Sequence, residues 1–190
     1  MEAKEFPKDT KHRDIFVYTC ERIAEPLKES GYKYRKSKND IVKKDNDFTY
    51  GIYFRPHPTY GSTTFWVHFI VESDMLKKWR CRVYENEKAN GVIISETLAY
   101  LTQKDYYLTQ YDVSTFAERE RVISEVISLI NDYAIPFFNR FNNIKMLIEE
   151  VKKDGFIPHR TTKLEKKQKK AGIRQSYDDF IDCYLEKHEL

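Results

Sequence analysis

Histidine, cysteine and arginine are the side chains here with chemistry to offer, and their spacing decides what chemistry that could be. The histidines, His12, His57, His68, His159 and His188, stand far apart. None belongs to an HxH, HExxH or HxxE arrangement, in which two ligands, or a ligand and a base, share one element. The cysteines, Cys20, Cys81 and Cys183, are odd in number and widely separated, with no CxxC spacing. They read as reduced thiols of a cytosolic protein. A nucleophile and its base need meet only in space, which leaves a pairing of Cys81 with His68 open. Strand alternation, however, puts Cys81 on the core face of a sheet and His68 on the other. The few glycines form no GxGxxG or Walker pattern. No catalytic residue, metal ligand or cofactor is therefore assigned, and the reading favours a non-enzymatic module over an enzyme.

Binding chemistry has more support. The stretch FTYGIYFR (48–55) alternates Phe48, Tyr50, Ile52 and Phe54 against Thr49, Gly51, Tyr53 and Arg55. The stretch TTFWVHFIVES (63–73) sets Phe65, Val67, Phe69 and Val71 against Trp66, His68 and Ile70. WRCRVYENE (79–87) reads as a further strand with Arg80, Arg82 and Tyr84 on one side. If these strands pair, Tyr53, Arg55, Trp66, His68, Arg80 and Arg82 share the face opposite the core. Guanidinium groups there would hold an anion and the rings would stack on a planar group. The plainer interpretation is a solvated sheet face, for which arginine and tyrosine are ordinary residues.

A second surface lies in the basic run 159–174, with seven Lys/Arg against one Glu. Lys163, Lys166, Lys167, Lys169 and Lys170 could contact phosphates without reading sequence. No aromatic residue interleaves Lys163–Lys170 to stack bases, and the acidic stretch 175–190 can neutralise the run in cis. Nucleic-acid association is thus the alternative to a binding or protein-interaction module. The overall net charge of +3 is too small to imply a nucleic-acid binder.

The elements that must position these groups are legible in outline. Phe16, Cys20, Ile23 and Leu27 recur at helical spacing over 11–30, with Thr10 or Asp9 as cap, Pro26 bending the last turn and Gly31 closing it. Tyr32–Arg35 and Asp40–Lys44 flank the turn KSKN as a short hairpin. PHPTYGST (56–63) reads as a loop. GVIISETLAYL (91–101) fits a strand or a helix equally, and 104–113 an edge strand or a loop. Thr115 and Glu118 have capping-box spacing, each side chain satisfying the other's backbone donor. Beyond them Val122, Val126, Leu129 and Tyr133 form one apolar row and Ile123, Ile127, Ile130 and Ala134 the next. Pro136 ends or kinks this helix, Asn142 or Asn143 starts another, and Asp154-Gly155 stops it. Phe137, Phe138 and Phe141 follow the proline and read as core. Ser176 and Asp179 signal a short final helix bearing Tyr177, Phe180, Ile181, Tyr184 and Leu185.

The segments ESGYKYRKS and NDYAIPFFNRF, through Gly31-Tyr32-Lys33, Tyr133-Ala134-Ile135-Pro136-Phe137-Phe138 and Phe141, carry a resemblance. Over about residues 12–151 the chain resembles the bacterial domain-of-unknown-function family numbered 4304. The resemblance implies an α+β fold with helices packed on a mostly antiparallel sheet, and it implies no activity. Together the signals predict an α+β protein whose mostly antiparallel sheet is flanked by an N-terminal helix and a long C-terminal helical region. Residues 1–155 are expected to form the domain and 156–190 a charged helical extension. The polar start MEAKEFPKDTKHRD argues against a secretory signal, and no apolar run reaches the ~18 residues needed to span a bilayer. A cytoplasmic protein is expected, with a protein or small ligand as partner, self-association an open alternative, and no membrane.

Overall fold

The computed structural model describes residues 3–59, 61–102, 110–157 and 170–188. Its strands β1 (Lys33–Arg35), β2 (Asp40–Asp45), β3 (Phe48–Thr59), β4 (Ser62–Ser73) and β5 (Val92–Thr97) form one antiparallel sheet in chain order, and β6 (Tyr111–Asp112) pairs with β4. The helices are α1 (His12–Ala24), α2 (Asp74–Val83), α3 (Leu98–Thr102), α4 (Phe116–Leu129), α5 (Ile135–Asn139), α6 (Ile144–Asp154) and α7 (Lys170–His188). The α+β class, the N-terminal helix and the helical C-terminal region are as expected from the sequence.

Several local expectations hold for the reasons given. Pro26 lies in a 3-10 turn, Glu25–Leu27, that follows α1. The first hairpin pairs Lys33 with Val42, Tyr34 with Ile41 and Arg35 with Asp40. Asn143 caps α6 by accepting from the Met146 N–H at 3.1 Å, and Gly155 closes it at φ +74°. Phe137, Phe138 and Phe141 are buried. The ambiguous stretch 91–101 is both things in turn, β5 and then α3.

Other expectations are corrected. Residues 79–87 are not a strand, because α2 runs through Val83. Ser73 caps α2, its Oγ accepting from the Leu76 N–H, and the buried residues are Leu76 and Arg80, four apart. One of those two is an arginine, so hydrophobic periodicity could not report the helix, while Trp79, Cys81 and Val83 alternate by coincidence. The loop expected over 56–63 is mostly strand, since β3 continues to Thr59 and β4 starts at Ser62. Phe54 donates to the carbonyl of Asn39, the residue before β2, so from Arg55 onward β3 runs past β2. On an edge left open in this way a proline removes no ladder bond.

The residue before α1 is Lys11, with no side-chain cap, so neither Thr10 nor Asp9 plays that part. The box at α4 is one-sided. Thr115 Oγ1 accepts from the Glu118 N–H at 3.2 Å, but the Glu118 carboxylate takes the Thr115 hydroxyl at 2.8 Å instead of a backbone donor. Tyr133 is exposed rather than part of the apolar face. Pro136 does not end the helix but falls inside α5: a π turn, Ile130–Ala134, precedes it, and the Ile135 N–H reaches back five residues to the Ile130 carbonyl. That wider turn accommodates a ring that would clash in regular α geometry. The last helix starts at Lys170, ahead of the expected Ser176 signal.

The chain divides into two compact units. The first comprises residues 1–43, 51–69 and 96–136. In it α1 buries Phe16, Cys20 and Ile23, the Phe16 ring meets Phe65 edge-on at 5.8 Å, and Phe65 also meets Phe54 and Tyr111. Helix α4 packs on α1, where Arg22 grips Glu120 through both carboxylate oxygens. Beside them Arg119, 1% exposed, lies against the rings of Phe6, Tyr18 and Phe116 and donates to the carbonyls of Lys4 and Val113. The second unit comprises residues 44–50, 70–95 and 137–190. Its core is a run of rings, Phe48, Tyr50, Phe138, Phe141, Phe156, Phe180 and Tyr184, in successive contact. Each such pair contributes about 0.5–1.5 kcal/mol beyond its burial.

Candidate functional site

The polar side chains of β3 and β4 in the first unit form a ladder. Strand β3 ends at Thr59 and β4 begins at Ser62, and this tight connection sets Tyr53 opposite His68 and Arg55 opposite Trp66. The contacts agree with that register. The Tyr53 and His68 rings stack at 4.7 Å with 13° between their planes, and the Arg55 guanidinium lies 5.9 Å from the centre of the Trp66 ring. His57 meets Trp66 diagonally at 4.5 Å. Across the next strand pair, Arg35 grips Asp40 through Nε at 2.8 Å and Nη2 at 2.6 Å. Asn39 opposite Phe54 puts Asp40 beside Tyr53, so a polar row, Arg35, Asp40, Tyr53 and His68, crosses β1 to β4.

Exposure is graded along the ladder: Arg55 is exposed, Tyr53, His57 and Trp66 are half-buried, and His68 is buried. Its Nε2 is shut off from solvent without a hydrogen-bond partner among the described residues. Burial, reinforced by the positive charge of Arg55, pushes the His68 pKa down to about 4. The imidazole is therefore neutral at physiological pH, and Arg55 supplies the positive charge beside these rings.

Arg80 and Arg82 do not join this face. Both sit on α2, in the second unit. Arg80 Nε donates to Asp179 Oδ2 at 2.6 Å, Nη1 to the Val92 carbonyl at 2.8 Å and Nη2 to Ser176 Oγ at 3.1 Å. Tyr84 and Gln175 donate to the other oxygen of the same carboxylate. Burial alone would raise the Asp179 pKa, but the hydrogen bonds from Tyr84, Gln175 and Arg80 outweigh it and hold the carboxyl below its ordinary range. Arg82 pairs with Glu186. Cys81 travels with α2, its Sγ contacting the Glu87 carbonyl at 3.8 Å. Lys163, Lys166, Lys167 and Lys169 lie outside the described residues, as does the side chain of Lys170.

Sequence reading missed His57, which the supposed loop had removed from the sheet, and Asp40 with its partner Arg35. The available signal was the alternation His57, Arg55, Tyr53, which continues through the prolines. Among the described residues no group of three or more His, Cys, Asp or Glu could hold a metal ion, and no helix is long and apolar enough to cross a membrane.

Residues 23–140 match the family model described as Domain of unknown function (DUF4304). The chain belongs to this family. No curated protein and no solved structure matches it. The DUF4304 stretch begins at Ile23 in α1 and ends at Arg140, so it contains the whole Tyr53, Arg55, His57, Trp66 and His68 ladder and stops before α6 and α7.

Proposed function

We propose that this DUF4304 protein is a non-enzymatic binding module whose β3–β4 ladder takes a planar anionic group, such as an aromatic carboxylate. The observation that carries the reading is the Arg55 guanidinium held over the Trp66 ring beside the Tyr53–His68 stack. A cation at an aromatic surface offers an anion a charge-assisted bond and a ring a place to stack, and a neighbouring neutral imidazole adds polarity without competing charge. Catalysis has less support, because the buried histidine faces Tyr53 and Arg55 rather than a nucleophile.

The test is a titration followed by Trp66 fluorescence in a Trp79→Phe background, against a panel of aromatic carboxylates and nucleoside monophosphates. Saturable quenching is expected, weakened at least tenfold by Arg55→Ala and untouched by Arg82→Ala. A panel in which no compound binds, or binding indifferent to Arg55→Ala, overturns the assignment.

A further inference from the structure

In the second unit α7 is seated in the manner of a bound peptide helix. Its anchors follow helix-in-groove spacing, Tyr177, Phe180 and Tyr184 at i, i+3 and i+7. Tyr177 meets Phe156 edge-on at 4.8 Å. Phe180 meets Phe156 at 5.3 Å. Tyr184 stacks on Phe48 at 5.7 Å with 10° between planes, and its hydroxyl shares a 3.1 Å hydrogen bond with Ser73 Oγ.

The one charge among these anchors, Asp179, is 4% exposed and meets the Arg80 guanidinium, whose Nη1 is held by the Val92 and Asn90 carbonyls while its Nη2 donates to Ser176 Oγ of α7. Around this dry centre runs an exposed rim: Arg82 to Glu186, Trp79 Nε1 to Glu186 at 2.7 Å, and Lys187 to Asp47 at 3.2 Å. An apolar, fully desolvated centre inside a polar rim is the anatomy of an interface between partners. A buried ion pair adds little net stability over apolar packing, and its geometry sets the register of the helix it joins. Of the receiving side chains, Phe48, Ser73, Arg80 and Tyr84 lie within the DUF4304 stretch, whereas Phe156 and α7 lie outside it.

We infer that the surface formed by α2, Phe48 and Phe156 is a helix-binding groove, that α7 is its exchangeable occupant in cis, and that the α7 of a second copy fits it in trans. Recognition rests on two chemical features, aromatic anchors at i, i+3 and i+7 and a carboxylate at i+2 read by Arg80. Because α7 belongs to the same chain, it fills the groove until this tether is cut or a competitor is abundant.

The test cuts that tether. A protease site is introduced within residues 158–169 of the full chain, the protein is cleaved while folded, and a fluorescent peptide of residues 170–190 is added. The fragment is expected to co-elute with the body after cleavage and to exchange with the labelled peptide. A peptide carrying Asp179→Asn should bind at least tenfold more weakly. In the uncut wild-type chain, α7 amides should exchange hydrogen ahead of those of α4. A cleaved protein that precipitates, or one that stays folded and never admits the peptide, makes α7 a permanent part of the core and overturns the inference. Equal binding of the Asp179→Asn peptide overturns the role given to Arg80. Because the groove and the β3–β4 ladder share no residue, failure here leaves the ligand titration standing, and the converse holds too.

Discussion

Replacing His68 with phenylalanine isolates the cost of burying a titratable ring. The imidazole has a folded pKa of about 4 against an ordinary value of 6.5. Between those two pH values the unfolded chain binds a proton at this position and the folded chain does not, so stability rises with pH across the window. The contribution is fully present above 6.5 and is lost as pH falls toward 4. The separation of the two values corresponds to about 3 kcal/mol in full, of which about 2 kcal/mol disappears between pH 7 and pH 5. Phenylalanine keeps the stack on Tyr53 and the burial but cannot titrate. Urea unfolding of the wild type and His68→Phe at both pH values should therefore show the wild type losing about 2 kcal/mol more than the variant. Equal losses would refute the reasoning, and so would an NMR titration placing the His68 ring near its ordinary value.

Three further perturbations read other parts of the structure. Arg80→Met leaves Asp179 buried without its cation and should cost about 3–5 kcal/mol in chemical denaturation, whereas the double variant Arg80→Met, Asp179→Leu should recover most of that loss; a double variant no better than the single one contradicts the pairing. Gly91→Ala places a Cβ 2.2 Å from the Ser73 carbonyl oxygen, a backbone atom that cannot step aside, and overpacking of this kind should lower stability by about 2–3 kcal/mol; an unchanged Tm argues against the close approach of the two strands. Thr115→Ala removes the acceptor for the Glu118 N–H at the start of α4 and should cost about 1 kcal/mol, measurable by the same unfolding curves; no change would mean that the cap contributes nothing.

How much of this was legible beforehand follows from what each residue contributes to pattern. The face Phe48, Tyr50, Ile52 and Phe54 alternates with period two and is all buried, so β3 could be read directly. So could α4, whose Val122, Ile123, Val126 and Leu129 keep helical period and are buried. Helix α2 failed because its inward face is Leu76 and Arg80, and a buried arginine looks like a surface residue until its partner is known. That partner, Asp179, lies 99 residues away in sequence, beyond the reach of any local pattern. The ladder was half legible for a related reason: Tyr53, Arg55, Trp66 and His68 followed from alternation, but Arg80 and Arg82 were added through the misread strand, and His57 was lost to two prolines that an open edge tolerates.

Burial decides where this chain can vary. In the ladder, Arg55 is exposed and Trp66 half-buried, so their substitution disturbs little of the core and costs little stability. In the groove, Phe48, Arg80 and Tyr184 are buried, and a change on either side strands a ring or a charge unless its partner changes with it. Any alteration of Arg80 should therefore be viable only with a compensating one at Asp179, and a library randomised at both positions and selected for folded protein should return either ion pairs or apolar pairs and reject mixed ones. Recovery of mixed pairs at the frequency of the matched ones would show that α7 is held by its aromatic anchors alone.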